Sequence, residues 1–186
     1  MTTFFQIDAH LFNLIYQLIH RSPLLDAVGV FFASYGLAAL VFIGVILVCI
    51  KAREVQEGTF LLAELFIVTT LPYLVTFFLR FVFNRPRPFS ILSAVDPLVS
   101  IPGTLFSPSF PSGHATLAFA FAAAAFFFIG KRVGYACGIF ALLIALSRVF
   151  VGVHFVSDIV AGAAIGICGA WMAKNIFGHP MKGEKV

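Results

Sequence analysis

Five long apolar segments constrain this chain more than any other feature of its sequence. They lie near residues 24–50, 58–83, 113–130, 133–151 and 156–177. A helix needs about 20 residues to cross the hydrocarbon core of a bilayer, and each segment comes close to that length. Only 11% of the residues are charged, against roughly 25% in soluble domains. The pattern predicts an all-α integral membrane protein, a bundle of five to six transmembrane helices forming one domain over residues 1–186.

The segment before the first span is too short to cross a membrane with ease. Residues 9–20 place aliphatic side chains on one helix face, namely Leu11, Leu14, Ile15, Leu18 and Ile19. Polar side chains occupy the opposite face. An amphipathic helix of about three turns suits the membrane interface. We therefore predict a short interfacial helix, with a short sixth span as the alternative.

The basic residues differ between the two ends of the predicted spans. One end has all five lysines, Lys51, Lys131, Lys174, Lys182 and Lys185, together with Arg53 and Arg132. The other end has only arginines, Arg21, Arg80, Arg85, Arg87 and Arg148. The positive-inside rule places the lysine-rich end in the cytoplasm. The proline-rich, non-helical segment 84–112 and the turn at 148–158 then both face the periplasm or exterior.

Three polar clusters occur at that arginine-bearing end. They comprise Arg80, Arg87 and Pro88 where the second span ends, Ser112, Gly113 and His114 where the third begins, and Arg148, His154 and Asp158 around the last turn. Acidic residues are scarce here, so an anion brought by a substrate is the simplest counter-ion. Guanidinium groups bind phosphate oxygens bidentately, and a helix start offers free N–H groups. The scattered basic residues do not form the solvated face that nucleic acid requires.

Two histidines complete the groups that phosphate-ester chemistry needs. One can attack phosphorus, and the other can protonate the leaving oxygen. Asp158 follows His154 by four residues, so its carboxylate can bind one imidazole nitrogen and leave the other free to attack. Arg85 and Arg21, by contrast, are predicted to contact lipid headgroups.

These motifs resemble the three-part signature of the type-2 phosphatidic acid phosphatase superfamily. That signature is a lysine, six residues and Arg-Pro; then Pro-Ser-Gly-His; then Ser-Arg, five residues, His, three residues and Asp. The chain matches it between about residues 60 and 170, with Arg80 where the family usually has lysine. Arginine keeps the charge, but its planar fork differs from a compact ammonium.

The resemblance implies a role for each matched residue. It implies that His154 is a nucleophile oriented by Asp158, that His114 is the general acid, and that the phosphate ligands are Arg80, Arg87, Pro88, Ser112, Gly113 and Arg148. It also implies that water hydrolyses the phosphohistidine intermediate without a metal or cofactor.

The embedded, outward-facing site favours a phosphorylated lipid as substrate over a soluble ester. The resemblance implies a bacterial plasma-membrane phosphatase, for which undecaprenyl pyrophosphate is the first expectation. Phosphatidylglycerophosphate, phosphatidic acid and lipid A phosphates stay open, as does a lipid phosphotransferase with the same motifs. A lipid-phosphate transporter would explain the arginines but leave the His–Asp pair unused. The expected partners are a lipid phosphate and the bilayer, with no nucleic acid, and the oligomeric state stays open.

Overall fold

The computed structural model describes residues 3–51, 55–99 and 108–177, and these residues form helices joined by short connections. In chain order the helices are α1 Thr3–Tyr16, α2 Pro23–Ser34, α3 Gly36–Lys51, α4 Val55–Phe83, α5 Pro88–Ile91, α6 Gly113–Ala124, α7 Lys131–Phe150 and α8 Val156–Phe177. A π-helical turn at Ala125–Ile129 continues α6. The part of the chain described here contains no strand.

Five apolar helical stretches make up the bundle. Three are long enough to cross a membrane, Gly58–Ile91, Lys131–Phe150 and Val156–Ile176. Helices α2 and α3 together form a fourth, and Gly113–Ile129 is a shorter apolar helix. The stretches follow the five predicted segments in order, so the predicted all-α membrane bundle is confirmed. The irregular segment predicted at 84–112 contains the one-turn helix α5, and its residues 100–107 lie outside the described ranges.

The span predicted near residues 24–50 is bent in the structure. The chain breaks at Tyr35, and α2 and α3 meet at an angle of 63°. Gly36 follows the break and lies against α7, where a Cβ atom would be 2.9 Å from the Ile144 side chain. The bend lets both helices pack on α7, which a straight helix could not do.

The N-terminal helix also differs from the prediction for residues 9–20. It runs from Thr3 to Tyr16, and its inward face consists of Asp8 and Phe12, both buried. Phe12 packs against Phe155, with ring centroids 5.5 Å apart. Of the predicted apolar face, Leu11, Leu14 and Leu18 are exposed in one stripe with Phe4 and Ile7, whereas Ile15 and Ile19 are partly buried. Such a stripe on a helix of a membrane protein is suited to contact lipid.

Helix α6 lies at the centre of the bundle, in direct main-chain contact with α8. A Cβ atom at Gly162 would lie 2.5 Å from the carbonyl oxygen of Ser112. At Gly166 it would lie 2.4 Å from the carbonyl oxygen of Thr116. Small residues spaced by four allow this approach of two backbones in a membrane.

Gly166→Ala is therefore expected to lower the free energy of unfolding by about 1–3 kcal/mol, because the added methyl group meets main-chain atoms that cannot move aside. The matched control is Gly138→Ala on α7, where a Cβ atom meets nothing within 4 Å. That change should be neutral or slightly stabilising, since alanine is the better helix former. Thermal unfolding in detergent measures both variants, and equal melting temperatures for the two would contradict this account of α6 and α8.

Candidate active site

The structure brings the three predicted polar clusters together at one end of the bundle. Hydrogen bonds join them in pairs, from Arg80 Nε to Pro111 O (3.0 Å), from Arg87 Nη1 to Val153 O (3.0 Å) and from Ser112 N to Asp158 O (3.0 Å). All nine predicted site residues therefore lie on segments that meet at this end.

His154 and Asp158 form the buried centre of the site. Their side chains are 1% and 0% exposed, and His154 Nδ1 lies 3.3 Å from Asp158 Oδ2. The same carboxylate oxygen accepts the N–H of Phe155 at 2.8 Å, which fixes its orientation in the first turn of α8. His154 Nε2 points the other way, 3.5 Å from Arg87 Nη1. The imidazole therefore has one nitrogen beside a carboxylate and the other beside a cation.

Burial lowers the pKa of His154 well below its ordinary value, and the positive charges of Arg87 and Arg148 lower it further. A hydrogen bond to the Ser109 main chain acts in the opposite direction. The ring is therefore neutral at neutral pH. With its N–H directed at Asp158, a neutral imidazole has its lone pair on Nε2.

Three of the phosphate ligands predicted from the sequence, Arg80, Arg87 and Arg148, form a cationic cradle close to His154. Arg87 and Arg148 are buried, and Arg80 is partly buried. Pro88 is the buried first residue of α5 and directly follows Arg87, the N-cap of that helix. At the start of α6, a Cβ atom on Gly113 would lie 2.9 Å from Tyr73 and 3.2 Å from Arg80 Nη2. A larger residue at this position would crowd the side chains of Tyr73 and Arg80.

Two polar atoms in this cradle have no partner within the protein. Ser112 Oγ and Arg148 Nε are the only buried side-chain nitrogen or oxygen atoms of the described residues without a hydrogen bond. Buried polar groups are rarely left without a hydrogen bond, because the loss of solvation costs about 1–3 kcal/mol each. Ser112 Oγ lies at the N-terminus of α6, and Arg148 Nε belongs to one of the cradle arginines, so both donors are placed to bind an anion.

The bend between α2 and α3 also supports the site. Arg148 Nη1 donates to the carbonyl oxygen of Ala33 at 2.7 Å. Ala33 lies in the last turn of α2, where main-chain carbonyls lack helical N–H partners. Because α2 ends at the break, the Ala33 carbonyl is available as the acceptor that positions one nitrogen of the Arg148 guanidinium.

The prediction that Arg85 contacts lipid headgroups was wrong. Its Nη1 donates to Asp158 Oδ1 at 2.8 Å, and its Nη2 to Asp8 Oδ2 at 2.6 Å. Its guanidinium also lies 4.2 Å from the centroid of the Phe155 ring. Arg85 turns inward because two buried carboxylates need a cation. The sequence signal that pointed to it was Asp8, an acidic residue on a helix that is otherwise largely apolar.

Ser109 is a second residue that the sequence prediction missed. It is fully buried, its N–H donates to Arg85 O at 2.8 Å, and its hydroxyl donates to Pro86 O at 3.2 Å. It precedes the matched Pro-Ser-Gly-His motif, so motif matching alone did not include it. No group of three or more potential metal ligands occurs among the described residues, and independence from metal stays a prediction.

The fold and the site together define a helical membrane protein with a buried cationic site around a His–Asp pair. The sequence model of the PAP2 superfamily matches residues 61–181. The chain belongs to this superfamily, which confirms the resemblance to type-2 phosphatidic acid phosphatases. It is a phosphatase that hydrolyses lipid phosphates, as members of this family do.

Similar proteins agree with this assignment. Undecaprenyl-diphosphatase BcrC of Bacillus subtilis strain 168 is 27% identical over 161 residues, covering 87% of this chain and 79% of that protein. A lipid A 1-phosphatase of Rhizobium johnstonii is 46% identical over 67 residues, covering 35% of this chain and 25% of that protein. The crystal structure of Aquifex aeolicus LpxE superposes with a TM-score of 0.74 at 29% identity, covering 91% of this chain and 95% of that one. The chain is a multi-pass bacterial membrane protein.

Proposed function

We propose that this phosphatase releases phosphate from undecaprenyl pyrophosphate through a phosphohistidine on His154. The observation that supports the chemistry is the buried His154, with Nδ1 at Asp158 and Nε2 3.5 Å from Arg87 Nη1. The lipid is proposed from the similarity to an undecaprenyl-diphosphatase, which extends over 87% of this chain.

In the first step the terminal phosphoryl group lies in the arginine cradle. Arg87 and Arg148 bind its oxygens, and the partnerless Ser112 Oγ donates a hydrogen bond. The lone pair of His154 Nε2 forms a bond to phosphorus, and the bond from phosphorus to the bridging oxygen breaks. His114 gives its proton to that oxygen, so the lipid leaves as its monophosphate.

The second step removes the phosphoryl group from His154. Neutral His114 accepts a proton from water as the water oxygen bonds to phosphorus, and the bond from phosphorus to Nε2 breaks. Inorganic phosphate leaves, and His114 is again protonated. Throughout, the Asp158 carboxylate accepts a hydrogen bond from Nδ1–H of His154. It thereby stabilises the positive charge that the ring acquires on attack.

The position of the lysines supports a site that faces the periplasm or exterior. Helix α7 begins at Lys131 and ends beside the site, and its 20 residues span about 30 Å. Lys174 lies in the last turn of α8, which begins at the site. The lysines described are thus at the opposite end from His154, as the positive-inside rule requires of a cytoplasmic face. Arg53, Lys182 and Lys185 lie outside the described residues.

Lipid A phosphatase is the second candidate. It is favoured by the 46% local identity to the Rhizobium johnstonii enzyme, although that match covers 35% of this chain. The cradle binds a phosphoryl group and does not itself distinguish the lipid attached to it. The choice between the two lipids therefore depends on assay.

We expect the purified protein in detergent to release phosphate fastest from undecaprenyl pyrophosphate, with a rate that EDTA does not change. Phosphatidylglycerophosphate, phosphatidic acid and lipid A are the comparison substrates, and His154→Ala is the control for contaminating phosphatase. Faster release from another lipid would reassign the substrate. A strict need for added metal would contradict the proposed chemistry, and transfer of the phosphoryl group to a lipid acceptor in place of water would indicate a phosphotransferase.

A further inference from the structure

A largely buried ionic network lies behind the His–Asp pair, and Asp158 is its only member that takes part in the steps above. It consists of Asp8 on α1, Arg85, and Ser157 and Asp158 on α8. We propose that Asp8 is a positioning residue for the reaction, acting through Arg85 on Asp158. This inference rests on the proposed role of His154 and Asp158.

One guanidinium joins the two carboxylates. Arg85 Nη2 lies 2.6 Å from Asp8 Oδ2, and Nη1 lies 2.8 Å from Asp158 Oδ1. Asp8 is 3% exposed and Asp158 is 0% exposed, so water competes little for either contact. Because the guanidinium is a planar, rigid fork, the carboxylate on one side fixes the angle at which the other nitrogen meets its partner. The place of Asp8 therefore sets the direction of the Arg85 bond to Asp158.

Asp8 also holds the helix turn that contains Asp158. Its Oδ1 accepts the N–H of Ser157 at 3.0 Å, and its Oδ2 accepts the Ser157 hydroxyl. Ser157 is in the first turn of α8, where N–H groups lack helical partners and a carboxylate is favourable. A side chain of α1 thus caps the helix on which the site is built.

The charges explain why this arrangement matters for His154. Asp158 uses Oδ2 for the imidazole and for the Phe155 N–H, and Oδ1 for Arg85. While Asp8 neutralises the far side of Arg85, Asp158 keeps one oxygen for the histidine. Without Asp8 the partly buried Arg85 guanidinium has only one carboxylate left, and both of its terminal nitrogens are drawn to Asp158. That movement pulls the carboxylate away from Nδ1 and turns the nucleophile from its line of attack.

The test is Asp8→Asn in the full-length protein, with kcat and KM measured on the lipid that the substrate comparison selects. We expect kcat to fall about tenfold, as a small misplacement of reacting groups does, with KM within about threefold because the cradle is untouched. The matched control is Tyr16→Phe, which removes a different α1 contact, the hydrogen bonds of its hydroxyl with the Asp96 main chain. Its kcat should stay within about twofold, since it does not contact the network.

A double-mutant cycle separates a role through Arg85 from general loosening of α1. Arg85→Gln alone is expected to lower kcat about 100-fold. The double variant Asp8→Asn/Arg85→Gln should have a kcat within about twofold of that of Arg85→Gln alone. Asp8 acts through Arg85, and that contact is already absent in the single variant. A tenfold loss in both backgrounds, or an unchanged kcat for Asp8→Asn alone, would overturn the proposal.

Two further variants keep the outcome clear. If size-exclusion chromatography shows that Asp8→Asn does not fold, Ser157→Ala serves as the test instead. It removes the hydroxyl that lies between Asp8 and Arg85 and keeps both of their charges. We then expect about threefold lower kcat at constant KM, and a wild-type kcat would overturn the proposal. An active His154→Ala would refute the proposed function itself, whereas an inactive His154→Ala with a fully active Asp8→Asn refutes only the role of Asp8.

Discussion

His154→Ala is expected to lower kcat by on the order of 10⁴-fold or more, because the variant loses the atom that bonds to phosphorus. The structure supports this size of effect, since Nε2 is directed at the arginine cradle and the ring is 1% exposed. Phosphate release from the lipid measures the loss. Rapid quenching with ³²P-labelled substrate should trap acid-labile phosphate on the wild-type protein and none on the variant.

The matched control for this experiment is another histidine of the same chain. His10 is exposed on α1 and lies outside the cradle, so His10→Ala should keep a near wild-type rate and form the same labelled intermediate. Label found on any residue other than His154 would contradict the assignment of the nucleophile.

His114→Ala is expected to slow the reaction by about 10²–10⁴-fold, the usual contribution of a general acid. His114 is the second residue of α6, directly after Ser112 and Gly113 of the site. The loss should be smaller with an aryl phosphate such as 4-nitrophenyl phosphate, because its leaving group needs no proton. Comparison of kcat/KM, which reports the steps up to formation of the phosphohistidine, for the lipid and for the aryl phosphate gives the measurement.

The aryl phosphate also tests the second step. Without His114 no base activates water, so His114→Ala should show a burst of about one nitrophenol per protein and then slow turnover. His154→Ala should show neither. Equal losses on both substrates, with no burst, would mean that His114 supports the structure and does not transfer a proton.

The fold class and most of the site were predictable because both depend on local patterns. Apolar segments of membrane-crossing length indicate helices whatever their neighbours are. The motifs occur at the ends of these helices, so once the helices assemble, Arg87, Ser112 and His154 reach the same end of the bundle. Hydrogen bonds such as that of Arg87 with the Val153 carbonyl follow from this arrangement.

The features that the sequence did not reveal depend on contacts between distant segments. Asp8 and Arg85 are 77 positions apart, and nothing near Arg85 in the chain shows that its side chain turns inward. The bend at Tyr35 follows from the packing of α2 and α3 on α7, and the segment is apolar on both sides of it. The face that α1 turns inward depends on the fit of Phe12 against Phe155. A hydrophobic pattern alone does not show that Phe12, and not Leu11 or Leu14, is the buried residue.

The main-chain contact of α6 with α8 has an evolutionary consequence. At Gly162 and Gly166 the two backbones approach closely, which holds the start of α6, with Ser112 and Gly113, in a fixed register against α8, with Asp158. In the proposed mechanism, the position of Ser112 and Gly113 relative to the His–Asp pair is thereby set by the scaffold and not by the lipid. New lipid preferences can then arise by mutation of the outer, tail-facing surfaces alone, while the chemical step is inherited unchanged.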